Sequence, residues 1–172
     1  MITLFQIDKS GGDIFEKDYS IVLIVNKKEI SGVNIPQKIK DDLNYLFKNN
    51  KLNINHSSEK KRKNRFRLRF HTAIVINLLE KAIKDLGFIE EVNIQICNDF
   101  DGHFHEIKDM IFKHLTKILH SLKEEDIVQT KFQKPSLIDN VAREFREKIN
   151  EGVKNYNLIK LDFNELASII KR

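Results

Sequence analysis

The chain of 172 residues has one cysteine, two prolines and no tryptophan. With Cys97 alone, no internal disulfide can form, and a zinc cluster built from several thiolates is excluded. No apolar run reaches the roughly 18 residues that a membrane span needs. Met1 to Ile7 lacks the basic, then apolar, then small-residue pattern of a secretory leader. Glycine-rich phosphate loops, a Gly-x-Ser-x-Gly elbow and Cys-x-x-Cys pairs are all missing, so the chemistries that depend on them have no support here. These absences together predict a cytoplasmic protein with no membrane partner.

What is present is a globular composition, 41% hydrophobic and 32% charged. The length suits one domain spanning residues 1–172. Net charge is +5, and its distribution is uneven. Lys60, Lys61, Arg62, Lys63, Arg65, Arg67 and Arg69 place seven cations within ten residues. Without them the rest of the chain is slightly acidic. A basic cluster on such a body points to a polyanion such as RNA or DNA, because phosphate contacts supply most non-specific nucleic-acid affinity. A solvated basic loop would look the same in sequence.

The hydrophobic pattern predicts strands at Ile2 to Asp8, Tyr19 to Asn26 and Glu29 to Ile35, a three-stranded meander. A turn is expected at Lys9-Ser10-Gly11-Gly12 and another at Asn26-Lys27-Lys28. Pro36 opens a helix carrying Ile39, Leu43, Leu46 and Phe47. Residues 49–65 read as a polar, basic loop. Arg65 to His71 alternates like a strand, yet Phe66, Phe70, Ile74 and Leu78 also form one helical stripe. One long helix to Leu86, stopped by Gly87, is the better fit. Val92 to Cys97 is a strand, with Cys97 expected as a packed core thiol. Phe104, Ile107, Ile111, Leu115, Ile118 and Leu122 mark an amphipathic helix, on which His114 and His120 read as surface residues. Ile127 to Phe132 is a short strand. Ser136 to Ile149 is a helix with Leu137, Val141, Phe145 and Ile149 inward, and a C-terminal helix spans about 163–170. The expected fold is therefore α/β: a mixed sheet of a three-stranded meander plus two further strands, flanked by helices.

Three places could carry chemistry. Asp8 ends the first strand, where a rigid backbone can aim a carboxylate at a metal; as a plain turn residue it would also be at home. Asn98-Asp99-Phe100-Asp101-Gly102-His103-Phe104-His105 follows the fourth strand and packs two carboxylates and two imidazoles together. Asp101 is suited to capping the next helix, with Gly102 at its first position, which leaves Asp99 as the stronger ligand candidate. Asp139 lies near the start of a helix, where Ser136-x-x-Asp139 resembles a capping box.

The order meander, helix, strand, helix, strand, helix resembles the ribonuclease H-like fold. Phe5-Gln6-Ile7-Asp8-Lys9-Ser10-Gly11, with the strand that follows, looks like the Asp-Glu-Ser-Gly opening of a family of uncharacterised ribonuclease H-like proteins. Ile138-Asp139-Asn140-Val141-Ala142 matches that family's late Asp-containing helix. The resemblance covers roughly residues 1–150. It implies that Asp8, Asp99 and Asp139 meet as catalytic residues and bind two divalent metals, Mg²⁺ or Mn²⁺, with Asp101 and His71 as further ligands. The activity implied is phosphodiester hydrolysis in RNA or DNA. The basic residues from Lys60 to Arg69 would hold the nucleic-acid backbone, with Lys131 and Lys134 adding phosphate contacts. The chain departs from the pattern by carrying Lys9 in place of Glu. Its long helix also offers only His71, early, and Glu80, late, where ribonuclease H has a glutamate. The same residues fit a second reading, a non-catalytic nucleic-acid-binding or structural protein on this fold.

Overall fold

The computed structural model describes residues 1–15, 19–97, 102–132, 136–148 and 157–171. Strands β1 (Ile2–Ser10), β2 (Ser20–Val25) and β3 (Glu29–Asn34) form the expected antiparallel meander. Asn26 and Lys27 take positive φ values of 50° and 60°, and the Lys28 N–H closes the turn on the Val25 carbonyl at 3.0 Å. Two successive residues in that region give the backbone twist a tight hairpin needs. β1 runs two residues beyond its predicted end, because Lys9 and Ser10 still pair with Ile21 and Ser20.

Helix α1 (Gln37–Lys48) follows Pro36, which is the cap residue and not the first helical one. Helix α2 (Glu59–Leu86) is 28 residues long. It begins inside the stretch expected to be a basic loop, so only the part before Glu59 is loop. The cause is local: the Ser58 hydroxyl accepts the Lys61 N–H at 3.3 Å, and Glu59 complements the positive helix end. Strand β4 (Glu91–Cys97) leads to α3 (Phe104–Leu115), a short 3₁₀ turn at Glu124–Asp126 and β5 (Ile127–Thr130). α3 stops at Leu115, not near Leu122. Leu119 takes the buried position beyond it, and Ile118 faces out. Helix α4 (Leu137–Lys148), the two-residue strand β6 (Asn157–Leu158) and α5 (Phe163–Lys171) complete the order.

The sheet is mixed, with strand order β5-β4-β1-β2-β3-β6. β4 runs parallel to β1, β5 parallel to β4, and β6 parallel to β3. β6 was not legible in the sequence, since two residues carry no periodic signal. The two faces differ. Phe5, Ile7, Ile21, Leu23, Ile94 and Ile96 point into the large core with α1, α2, α3 and α5. Val22 and Ile24 point the other way, against Ile138, Val141, Ala142 and Phe145 of α4. Leu137, expected inward, is half-exposed at 50%, and Ile138 replaces it; Ile149 lies outside the described residues. Cys97 is only partly buried. Alternation puts Val92, Ile94 and Ile96 in the large core and Cys97 on the opposite face with Asn93 and Gln95.

α2 is buried almost all round from Phe66 to Leu79. It lies between the sheet on one side and α3 and α5 on the other. Its apolar residues therefore do not form a single stripe, which explains why a strand and a helix both fitted the Arg65–His71 pattern.

Candidate functional site

Asp8 and Asp139 belong to the same side of the molecule. Asp8 pairs with Val22 across the β1–β2 ladder, so its side chain shares the α4 face of the sheet. It is buried, at 6% exposure, and its carboxylate accepts the Lys9 N–H at 2.9 Å. α4 packs over β1 and β2, and its late residue Phe145 reaches Gly32 on β3. The first turn, with Asp139, therefore lies on the β1 side. The Ser136 hydroxyl accepts the Asp139 N–H at 3.1 Å, one half of the anticipated capping box. Asp99 and Asp101 lie outside the described residues. The chain reaches them just after β4, whose Ile96 is paired with Ile7 immediately before Asp8. Gly102 has φ of 76°, outside helical space, so it is not the first helical residue; the N-cap position of α3 falls to His103 and not to Asp101, and the His103 side chain makes no capping hydrogen bond.

Carboxylate oxygens are hard donors suited to Mg²⁺ or Mn²⁺, so Asp8 and Asp139 fit such ions in chemistry. Among the described residues, no group of three or more His, Cys, Asp or Glu side chains is placed to hold a metal.

His71 stands elsewhere. It sits on α2, under the face of the sheet opposite Asp8, at 2% exposure. Its Nδ1 is 2.8 Å from the Tyr19 hydroxyl. Burial, with a smaller contribution from the nearby Lys9 ammonium, pushes its pKa down to about 3. The imidazole is therefore neutral at neutral pH and is engaged in core packing. Glu80 is likewise engaged: one oxygen lies 3.1 Å from His114 Nε2. His114 is thus half-buried between α2 and α3, not the surface residue expected, whereas His120 is exposed. Lys131 is exposed, and Lys134 lies outside the described residues.

The seven clustered cations divide into two groups. Arg62 pairs with Glu59 at 3.0 Å, bonds Asn50 and covers the Phe47 ring at 4.4 Å. Arg67 pairs with Asp13. Arg69 donates to the Ile170 carbonyl at 3.0 Å, and burial followed by repulsion from Arg65 lowers its pKa. Arg65 holds Glu106 only loosely, at 3.5 Å. Lys60, Lys61 and Lys63 are exposed.

Part of this cluster walls a concave pocket of about 670 Å³ at the C-terminal end of β1. Lys9 and the following Gly12–Ile14 turn supply one wall. The first turns of α2 supply Lys61, Arg65, Arg67 and Leu68, and the start of α3 supplies His103 and Glu106. The Lys9 ammonium donates to the Gly11 carbonyl at 3.3 Å and lies 5.7 Å from the Tyr19 ring centre. Two helix starts border the cavity, and their positive ends add to a field that favours anions.

The charge cluster signalled Lys61, Arg65 and Arg67 in the sequence. Lys9, His56 and His103 carried no signal for this pocket, because they come from segments far apart in the chain. Compared with protein-family models, with curated proteins and with solved structures, the chain finds no match in any of the three.

Proposed function

We propose that the protein is a ribonuclease H-like, divalent-metal-dependent nuclease acting on RNA or DNA. One observation carries the reading. β1 and β4 lie side by side and parallel, and α4 packs on the face that bears Asp8. The C-terminal ends of β1 and β4 therefore share one edge of the sheet, and the reading brings the first turn of α4 to that same edge. Strand ends that share an edge are where α/β sheets build their sites.

In this reading Asp8, Asp139 and Asp99 hold Mg²⁺ or Mn²⁺. When bound, the metal supplies a Lewis acid that activates water and stabilises the leaving oxygen of a phosphodiester. The chain's own residues do the rest. Asp8 is held on rigid strand backbone, and its orientation is fixed by the Lys9 N–H. Asp139 is held by the Ser136 cap. Exposed cations at the start of α2 hold phosphates without reading sequence.

The test is a nuclease assay on single-stranded RNA, single-stranded DNA and an RNA–DNA hybrid, with Mg²⁺ or Mn²⁺. Asp8→Asn, Asp99→Asn and Asp139→Asn should each lower the cleavage rate at least a hundredfold. Mn²⁺ should raise the melting temperature of the wild type and not that of Asp8→Asn. Cleavage that survives Asp8→Asn, or no cleavage of any of the three substrates, removes the nuclease reading.

A further inference from the structure

We propose that the groove between α2, α3 and α5 binds a single phosphate group between Arg65 and Arg69. The groove encloses about 170 Å³. Arg65 and Arg69 stand one turn apart on α2, so their side chains share one helix face. α3 lines the groove with Lys113 and Lys117, and Ile169 brings the end of α5 beside it. α2 lies under the face of the sheet opposite Asp8, so the site is separate from the candidate metal edge. The proposal stands without the nuclease reading.

The donors are in place and the acids beside them are engaged. Arg65 makes no hydrogen bond among the described residues. Its ion pair with Glu106 is loose, at 3.5 Å, and its side chain is 39% exposed. Glu106 also faces His103, at 3.6 Å. Arg69 donates to the Ile170 carbonyl, an uncharged acceptor that leaves its charge in place. Two like charges one turn apart repel, and burial with that repulsion lowers the Arg69 pKa. Asp109 is held by Lys113 at 2.8 Å, and Lys117 is exposed, with no ion pair among the described residues. A guanidinium carries five donors in a planar fork, which suits phosphate oxygens. An oxyanion seated between the two forks would take their free donors and turn their repulsion into a bridge. Size sets the ligand. About 170 Å³ is below the ~300–1,000 Å³ of sites that enclose whole small molecules. The groove therefore suits one tetrahedral anion and not the base and sugar of a nucleotide.

The phosphate has two sources, the free inorganic ion or the terminal group of a larger molecule that stays outside the groove. Isothermal titration calorimetry on the full chain, at ionic strength held constant with sodium chloride, uses inorganic phosphate and glycerol 3-phosphate as probes. Arg65→Gln and Lys117→Gln should each weaken binding by about tenfold, the loss of one charge-assisted hydrogen bond. Lys117 is exposed, so its variant reads the site without touching the core. Two controls remove the same charge elsewhere: Lys61→Gln, in the pocket at the end of β1, and Lys84→Gln, at the far end of α2. Both should bind as the wild type does. Tighter binding of glycerol 3-phosphate identifies the end of a larger molecule as the source; inorganic phosphate binding as tightly or more tightly identifies the free ion. The proposal fails if the wild type binds neither probe, or if the controls weaken binding as much as Arg65→Gln and Lys117→Gln do.

Discussion

Gly32→Ala is a small change with a large expected effect, because α4 rests directly on that glycine. A Cβ built at Gly32 would lie 2.5 Å from Cζ and 2.6 Å from Cε2 of Phe145. Carbon atoms prefer about 3.5–4.0 Å, so the ring must retreat by roughly 1 Å. It cannot do so freely, being 2% exposed and packed with Val22, Ile24, Ile138, Val141 and Ala142. Overpacking of this kind costs about 1–3 kcal/mol. Gly32 is ordinary strand backbone and not one of the positive-φ glycines, so alanine recovers about 0.5–1 kcal/mol by restricting the unfolded chain. The net expectation is a loss of about 1–2 kcal/mol, a fall of about 0.5–1 M in the urea midpoint. Phe145→Leu alone should also destabilise, by about 1 kcal/mol. In the double mutant the smaller side chain makes room for the methyl, so the two losses should fall short of their sum by about 1 kcal/mol. Equal stability of Gly32→Ala and wild type, or strict additivity, would refute this account of how α4 docks.

Two further predictions concern pH and capping. The His71 pKa is depressed in the folded state, from the usual 6.5 to about 3, so the unfolded chain binds more protons between those values. Its contribution is fully present above pH 6.5 and is lost as pH falls toward 3, at about 1.4 kcal/mol per pH unit. His71→Gln should therefore flatten the fall in stability between pH 6.5 and pH 4.5 measured by urea unfolding; an unchanged slope would sink the assignment. Ser136→Ala removes the acceptor of the Asp139 N–H and should cost about 1 kcal/mol. A thermal scan showing no loss would mean that the cap does not anchor the helix start.

The elements with continuous or alternating apolar runs were legible in the sequence. β2 and β4 appear where Ile, Leu and Val cluster or alternate, and α5 where Leu166, Ile169 and Ile170 share a face. The start of α2 was hidden, because Glu59 to Arg65 shows only solvent-facing charge and the signal that matters is one serine cap. Leu137 and Ile138 exchanged roles for a related reason: two adjacent apolar residues at a helix start leave the facing undecided until the sheet beneath is known. The candidate site was legible in one part only. Asp8 and Asp139 could be singled out as residues, but their common layer depends on which face of β1 meets α4. The pocket at the end of β1 depends on Lys9, Lys61 and His103 converging from separate segments, which neither spacing nor composition encodes.

The covering of α2 by α5 also bears on how the chain is made. Arg69 donates to Ile170, 101 residues further on, and Leu166 and Ile170 are sealed against the same core. Chains emerge from the ribosome N-terminus first, at about 5–20 residues per second. α2, apolar on nearly every side, therefore spends several seconds outside the ribosome before its cover is synthesised. A chaperone that holds apolar helices has that interval in which to act. A message cut short before α5 would yield a protein whose longest helix stays uncovered on the side that α5 occupies, a target for proteolytic quality control.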